Sequence, residues 1–193
     1  NLQVITSLLA GQTHSLRDGP VLNAIRDVQN RVQSISLIHQ KLYTGSDVAA
    51  VNMLPYVYEL VDHLQTCFDT RKKGIQFERL TDPIDLEVSQ AIAVGLILNE
   101  TITNSIKYAF PNTRGKIAVS LLRTDMDDLR LTIADNGIGM AQSDVAEDKT
   151  SLGWKLIRVL TRQLGGDLTV ETRAGVSICI TFDPAKSYLS SPG

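Results

Sequence analysis

Asn99-Glu100-Thr101-Ile102-Thr103-Asn104-Ser105-Ile106-Lys107-Tyr108 is the stretch on which the reading of this chain turns. It follows the longest uninterrupted apolar run, Ala91–Leu98, and extends the helix that this run predicts from Leu86 to Tyr108, with Asp85 placed to cap it. On that helix Glu100, Asn104, Lys107 and Tyr108 stand at offsets 0, 4, 7 and 8. A carboxylate, an amide, an ammonium and a phenol therefore share one face. A helix with only a structural task would fill such a stripe with Leu and Val. An amide oxygen that ligates Mg²⁺ and an ammonium that balances phosphate charge suit a site for a cation and phosphate oxygens. The same spacing also reads as a solvated face carrying an i,i+7 Glu–Lys pattern.

Working outward, the segments around this helix predict an α+β layer, a mixed sheet covered by helices on one face. Upstream, Leu54 to Phe68 reads as a helix with Pro55 tolerated in its first turn, and the alternating Ile75 to Leu80 as a strand. Downstream, Ile117 to Leu122 and Leu129 to Ala134 read as strands joined by a connection holding Asp125, Asp127 and Asp128. The second strand runs into Asp135-Asn136-Gly137-Ile138-Gly139-Met140. Two glycines spaced in this way let a backbone approach a ligand closely, and an aspartate at a strand end can accept from an exocyclic amine. The competing reading, an Asn-Gly hairpin turn, is opposed by the polar stretch Gln142 to Lys149, which resumes no strand. Thr150-Ser151-Leu152-Gly153-Trp154-Lys155 then opens a helix from Leu152 to Leu164. Its hydroxyls and free N–H groups suit a phosphate, or simple N-capping by Ser151. Gly165-Gly166 stops that helix, and Leu168 to Thr172 and Val176 to Phe182 form a last hairpin turning at Arg173-Ala174-Gly175.

The first fifty residues are patterned differently. Leu2, Ile5, Leu9, Gln12 and Leu16, then Val21, Ile25, Val28, Val32, Ile35, His39 and Leu42, follow spacings of three and four, the second series as a heptad stripe. Arg17-Asp18-Gly19-Pro20 separates them, which predicts a helical hairpin over 1–16 and 20–43. So narrow a seam buries little alone, so a homodimer completing a four-helix bundle through residues 1–43 is expected. Gly45-Ser46-Asp47 marks the boundary. The expected domains are 1–45, 46–184 and a tail, 185–193.

Composition excludes several classes. Of 193 residues, 43% are hydrophobic and 21% charged, with a net charge of −2. A domain built to coat nucleic acid would be strongly basic. The apolar run Ala91–Leu98 is too short to span a bilayer. Cys67 and Cys179 lie far apart, which suggests neither a disulfide framework nor a zinc site.

Taken in order, Asn-Glu…Asn…Lys-Tyr, Asp-x-Gly-x-Gly and Ser-Leu-Gly resemble the N, G1 and G2 boxes of the GHKL superfamily ATP-binding domain, the Bergerat fold. Within it the chain is most similar to the sensor histidine kinases. Asn1-Leu2-Gln3-Val4-Ile5 and Ser36-Leu37-Ile38-His39-Gln40-Lys41-Leu42-Tyr43 resemble the dimerisation and phosphotransfer hairpin of the HisKA_2 subfamily, related to the HWE kinases. The resemblance extends over about residues 1 to 182. It implies ATP and Mg²⁺ as cofactors. Glu100 takes the position of a general base or water-polarising acid, Asn104 that of the Mg²⁺ ligand, Lys107 that of a phosphate contact and Tyr108 that of a side chain beside the nucleotide. Asp135 matches the adenine reader, Gly137 and Gly139 the glycines shaping the adenine pocket, Ser151 and Gly153 the segment closing on phosphates. Thr181 matches a hydroxyl supporting adenine through water. The G2 segment departs from the pattern, with one matched glycine and Trp154-Lys155 in place of smaller residues.

The implied function is an ATP-dependent protein-histidine kinase core of a two-component system. Its γ-phosphoryl group passes to a histidine and then to an aspartate on a response-regulator receiver domain. The resemblance places the phosphoacceptor just upstream of Asn1, so this stretch alone is not expected to autophosphorylate. His39 sits in the apolar seam, His14 near the hairpin turn as the one alternative acceptor, and His63 has no matched role. A cytoplasmic location is expected, with any membrane anchor of the parent carried by upstream domains, and with no nucleic-acid partner. Three rivals remain in view: a phosphotransfer scaffold with a degenerate ATP domain, a GHKL serine kinase, and an ATPase of the chaperone or mismatch-repair type. The presence of the N and G1 boxes opposes the first, the N-terminal hairpin opposes the second, and the third would need large additional domains.

Overall fold

The computed structural model describes residues 50–111, 114–140 and 152–185, together with Val32 and Ser36, both helical. The expected hairpin with His14 and His39, the segment 141–150, Ser151 and the tail lie outside the described residues.

The first described element, β1 (Ala50–Asn52), leads directly into α1 (Met53–Cys67). Asn52 caps the helix by accepting from the Leu54 N–H at 3.2 Å, and Pro55 falls in the first turn, where its missing donor costs nothing. Met53, Tyr56, Val57, Leu60, Val61 and Leu64 form the buried stripe at helical spacing. Strand β2 (Ile75–Thr81) follows, and then a short β3 (Asp85–Glu87) that pairs antiparallel with β1, Val51 opposite Leu86.

Here the structure corrects one expectation. Asp85 does not cap the long helix. It lies exposed in β3, where the exposed–buried–exposed alternation of Asp85, Leu86 and Glu87 sends Leu86 into the core. Helix α2 (Val88–Asn104) starts three residues later with no side-chain cap. Its continuation Ser105–Ala109 is wound as a π-helix, a looser turn that changes which side chains share a face.

The remaining elements are β4 (Gly115–Arg123), β5 (Leu129–Asp135), α3 (Leu152–Gln163), β6 (Asp167–Glu171) and β7 (Ser177–Phe182). A five-stranded sheet has the order β2-β4-β5-β7-β6, parallel between β2 and β4 and antiparallel elsewhere. The predicted mixed sheet and its hairpins are therefore present. The β4–β5 connection turns at Asp127, whose φ is 64°, and the Thr124 N–H donates to the Asp128 carbonyl.

In β5, Leu129, Leu131 and Ile133 are buried; in β7, so are Ile178, Ile180 and Phe182. That parity defines the core face, and α1, α2 and α3 contribute Leu60, Ile97 and Ile157 to the same core. Where α1 crosses α2, the Tyr56 hydroxyl occupies the space a side chain on Gly95 would need. Burial pushes the Tyr56 phenol well above its usual range. At the sheet edge, Arg79 stacks on the Tyr58 ring, 4.6 Å from its centroid, and donates to Asp62 at 2.6 Å, which ties β2 to α1. No helix among the described residues is long and apolar enough to cross a membrane.

Candidate functional site

Helix α2 is apolar through Ile97 and Leu98 and then changes character. Asn99, Glu100, Thr101, Thr103 and Ser105 are all buried polar residues at its C-terminal end. Polar groups are withdrawn from water at a cost unless they gain partners. The partners gather around Asp135, the last residue of β5, which is 7% exposed. Asp135 Oδ1 accepts from the Gly137 N–H at 3.0 Å and from the Val176 N–H at 3.2 Å. Oδ2 accepts from the Ser105 hydroxyl at 2.7 Å. One carboxylate thus joins the helix end, the loop after β5 and the approach to β7. An ionised carboxylate accepts at about four lone-pair positions, so acceptor capacity remains.

The glycines make this closeness possible. A Cβ on Gly137 would collide with the Ala109 carbonyl, which also accepts from the Ile138 N–H at 3.0 Å. Gly175, at φ +94°, brings the β6–β7 turn against the Asp135 carbonyl, leaving no room for a side chain. Asn136 anchors the same loop to β4 by accepting from the Lys116 N–H at 2.7 Å.

Beside Asp135 lies a cavity of about 340 Å³ lined by Thr101, Asn104, Ser105, Tyr108, Ala109, Asp135, Gly139, Met140, Trp154, Val176 and Ile178. One end is polar. The walls are apolar, with Trp154 only 7% exposed. A small, mainly apolar pocket with a few convergent polar groups is the usual form of a small-molecule site.

Of the residues singled out from sequence, the structure brings Asn104, Tyr108, Asp135 and Gly139 to the cavity wall. Gly137 stands behind the wall and shapes it. Asn104 is half-buried, and the Tyr108 ring is largely exposed at 68%. Glu100 is one turn before Asn104, buried, and accepts from Asn99 Nδ2 at 3.3 Å, outside the lining set. Lys107 and Gly153 are half-buried and also outside it. Ser151 is outside the described residues.

Thr181 is a correction. Ile178, Ile180 and Phe182 of β7 face the core, and Ile178 reaches the cavity. Strand alternation therefore turns Thr181 to the opposite face of the sheet. The β7 contribution is apolar rather than a hydroxyl. The sequence reading also missed Thr101, Ser105, Ala109, Met140, Trp154, Val176 and Ile178. Two signals were available. Thr101 and Ser105 stand one turn apart inside the quoted stretch, and Trp154 is the single tryptophan, noted as a departure when it is a wall.

The family described as histidine kinase-, DNA gyrase B- and HSP90-like ATPase matches residues 89–186, which contain α2 from its second residue, the loop after β5, α3 and every strand of the five-stranded sheet except β2. The chain belongs to this ATPase family. Ahead of that match, residues 1–68 match HisKA_2, described as histidine kinase. This ATPase-family chain has the make-up of a sensor histidine kinase core. It is 26% identical over 192 residues to blue-light-activated histidine kinase 2 of Erythrobacter litoralis strain HTCC2594, covering 95% of this chain and 53% of that one. It is 27% identical over 171 residues to the sensor histidine kinase PdtaS of Mycobacterium tuberculosis, covering 87% and 34%. The chain thus spans about half or less of the length of these relatives. The solved histidine kinase domain of the Erythrobacter litoralis EL346 blue-light-activated histidine kinase shares the fold, with a TM-score of 0.78 at 19% identity, over 96% of this chain and 97% of that one.

Proposed function

We propose that this chain is the ATP-dependent protein-histidine kinase core of a two-component system. The observation that carries this reading is Asp135: a buried carboxylate with three intramolecular donors and spare acceptor capacity, in the wall of a mainly apolar cavity. That arrangement suits the exocyclic amine of adenine, with Trp154, Met140 and Ile178 as apolar surface for the ring.

The other roles follow from position along α2. Asn104, at the cavity wall beyond Asp135, would supply an amide oxygen to Mg²⁺. Few protein ligands are needed there, because Mg²⁺ commonly keeps waters and phosphate oxygens. When bound, the ion would neutralise charge on the phosphates. Lys107 would contact phosphate and Tyr108 would lie beside the nucleotide, with Ser151 and Gly153 in the segment that would close on the phosphates. Glu100, one turn before Asn104, would orient or accept the proton of the attacking imidazole. Residues 1–45 would form the dimerising phosphotransfer hairpin and 46–184 the ATP-binding domain, with a response-regulator receiver as the acceptor of the phosphoryl group.

Calorimetry with Mg·ADP tests the reading. Saturable binding at one site per chain, lost in Asp135→Asn, is the expected result. The absence of detectable binding by the unaltered chain would favour a phosphotransfer scaffold instead.

A further inference from the structure

The turn between α1 and β2 reads Arg71-Lys72-Lys73-Gly74 and gathers positive charge at one end of the sheet. Its three cations are exposed, and so is Arg114, which precedes β4. Strands β2 and β4 run parallel with Ile75 opposite Gly115, so the turn and Arg114 lie side by side. The four cations, with Gly74 and Gln76, line a cavity of about 400 Å³. Gly74 has a φ of +69°, and the Arg114 stem lies 2.7 Å from the place a Cβ on it would take. The glycine thus lets Arg114 lie across the turn. Lys73 stands over the Phe68 ring, 5.9 Å from its centroid. Lys72 pairs with Asp69 at 2.6 Å, while Arg71, Lys73 and Arg114 meet no carboxylate among the described residues. In a chain of net charge −2, three uncompensated cations in one concave site favour an anionic ligand.

The turn also selects among anions. A discrete phosphate is commonly held by backbone amides aimed at it. Here the amides of Lys72 and Lys73 donate to the Asp69 carbonyl, that of Gly74 to Arg71 and that of Ile75 to Thr70. These amides are spent inside the turn, so the ligand meets side-chain ends. Two of those are guanidinium groups, whose parallel N–H pairs match carboxylates. A concave site also receives a protruding chain better than a flat lipid surface. We propose that this pocket docks a carboxylate-rich segment of a partner protein, with Arg71, Lys73 and Arg114 as the contacts and Gly74 as the residue that sets Arg114 in place. Ile117, two residues beyond Gly115, pairs with Asp135, so the partner docks at the end of the sheet that also holds the nucleotide cavity. No residue lines both cavities, and the inference does not rest on the nucleotide reading.

The test uses the whole 193-residue chain, with a dye-labelled octaglutamate peptide as the probe in fluorescence anisotropy. Saturable binding of one peptide per chain is expected, weakening about tenfold or more as salt rises from about 0.05 to about 0.5 M. Arg71→Glu and Arg114→Glu, both at exposed positions, each weaken the peptide about three- to tenfold. Arg130→Glu makes the same change of charge at an exposed position of β5 outside the pocket, and leaves the affinity within about twofold. An equal loss in Arg130→Glu would show that net charge, not the pocket, holds the peptide, and overturns the proposal. Peptide binding that survives Arg71→Glu and Arg114→Glu overturns it as well. Tighter binding of inorganic pyrophosphate, or of phosphatidylserine vesicles, through these same arginines replaces the protein segment by a phosphate or a lipid surface.

Discussion

At the scale of single residues, Asp135 concentrates the site's chemistry. Asp135→Asn exchanges an accepting oxygen for an NH₂ group where three donors already converge. At the Oδ1 position the NH₂ faces the Gly137 and Val176 N–H groups; at the Oδ2 position the Ser105 hydroxyl can turn and accept from it, and a donor then faces the ligand's exocyclic amine. We expect Mg·ADP affinity to fall at least tenfold and stability by about 1–3 kcal/mol, read by calorimetry and urea unfolding. Trp154 offers a direct optical readout. It is the single tryptophan and a cavity wall, so saturation with Mg·ADP should change the protein's intrinsic fluorescence. Trp154→Phe should abolish that signal while keeping most of the affinity.

A third residue-scale prediction concerns His63, whose imidazole lies 3.3 Å (Nε2) from Cys67 Sγ on α1. Burial lowers its pKa from 6.5. The folded state therefore resists protonation that the unfolded chain accepts. Stability should be unaffected by His63 above about pH 6.5, decline as the pH falls below that value, and level off below the folded pKa. His63→Gln should flatten this limb of a pH series of urea midpoints. Much of the residue scale was legible, because Asn104, Tyr108, Asp135 and Gly139 carry their chemistry in their identities. Ser105 was not, since a hydroxyl in a helix gains meaning only from what stands opposite it, here Asp135.

At the scale of elements, long strands and helices were readable from periodicity, and short ones were not. The three residues of β1 are too few to display alternation, and so Asp85 in its partner β3 reads in sequence as a helix cap. The π turn at 105–109 was equally hidden, because five residues do not separate one helical period from another. Thr181 is a different case. The parity of Ile178, Ile180 and Phe182 was present in the sequence and sends Thr181 outward, away from the site. An element-scale prediction follows from the α1–α2 crossing. Gly95→Ala drives a methyl into the Tyr56 hydroxyl and should cost about 1–3 kcal/mol in urea unfolding, as overpacking does. Combining it with Tyr56→Phe should recover part of that loss, giving a non-zero coupling energy in a double-mutant cycle.

At the scale of the whole molecule, the cavity draws on α2, the loop after β5, α3 and the approach to β7, elements spread from Thr101 to Ile178. A ligand bound there stabilises only a chain in which all of them are assembled. Mg·ADP at a hundred times its dissociation constant should raise the unfolding free energy by about 2.7 kcal/mol, seen as an upward shift of the melting temperature. The shift should vanish in Asp135→Asn.

The threefold anchorage of Asp135 also bears on how such a chain can lose its function. A substitution there unfastens a helix end, a loop and a strand approach at the same moment as it removes the base reader. Hydrogen exchange at Gly137 and Val176, whose amides it holds, should accelerate together. Descent into a nucleotide-free scaffold would therefore be easier by filling the cavity from its apolar side than by discarding the aspartate.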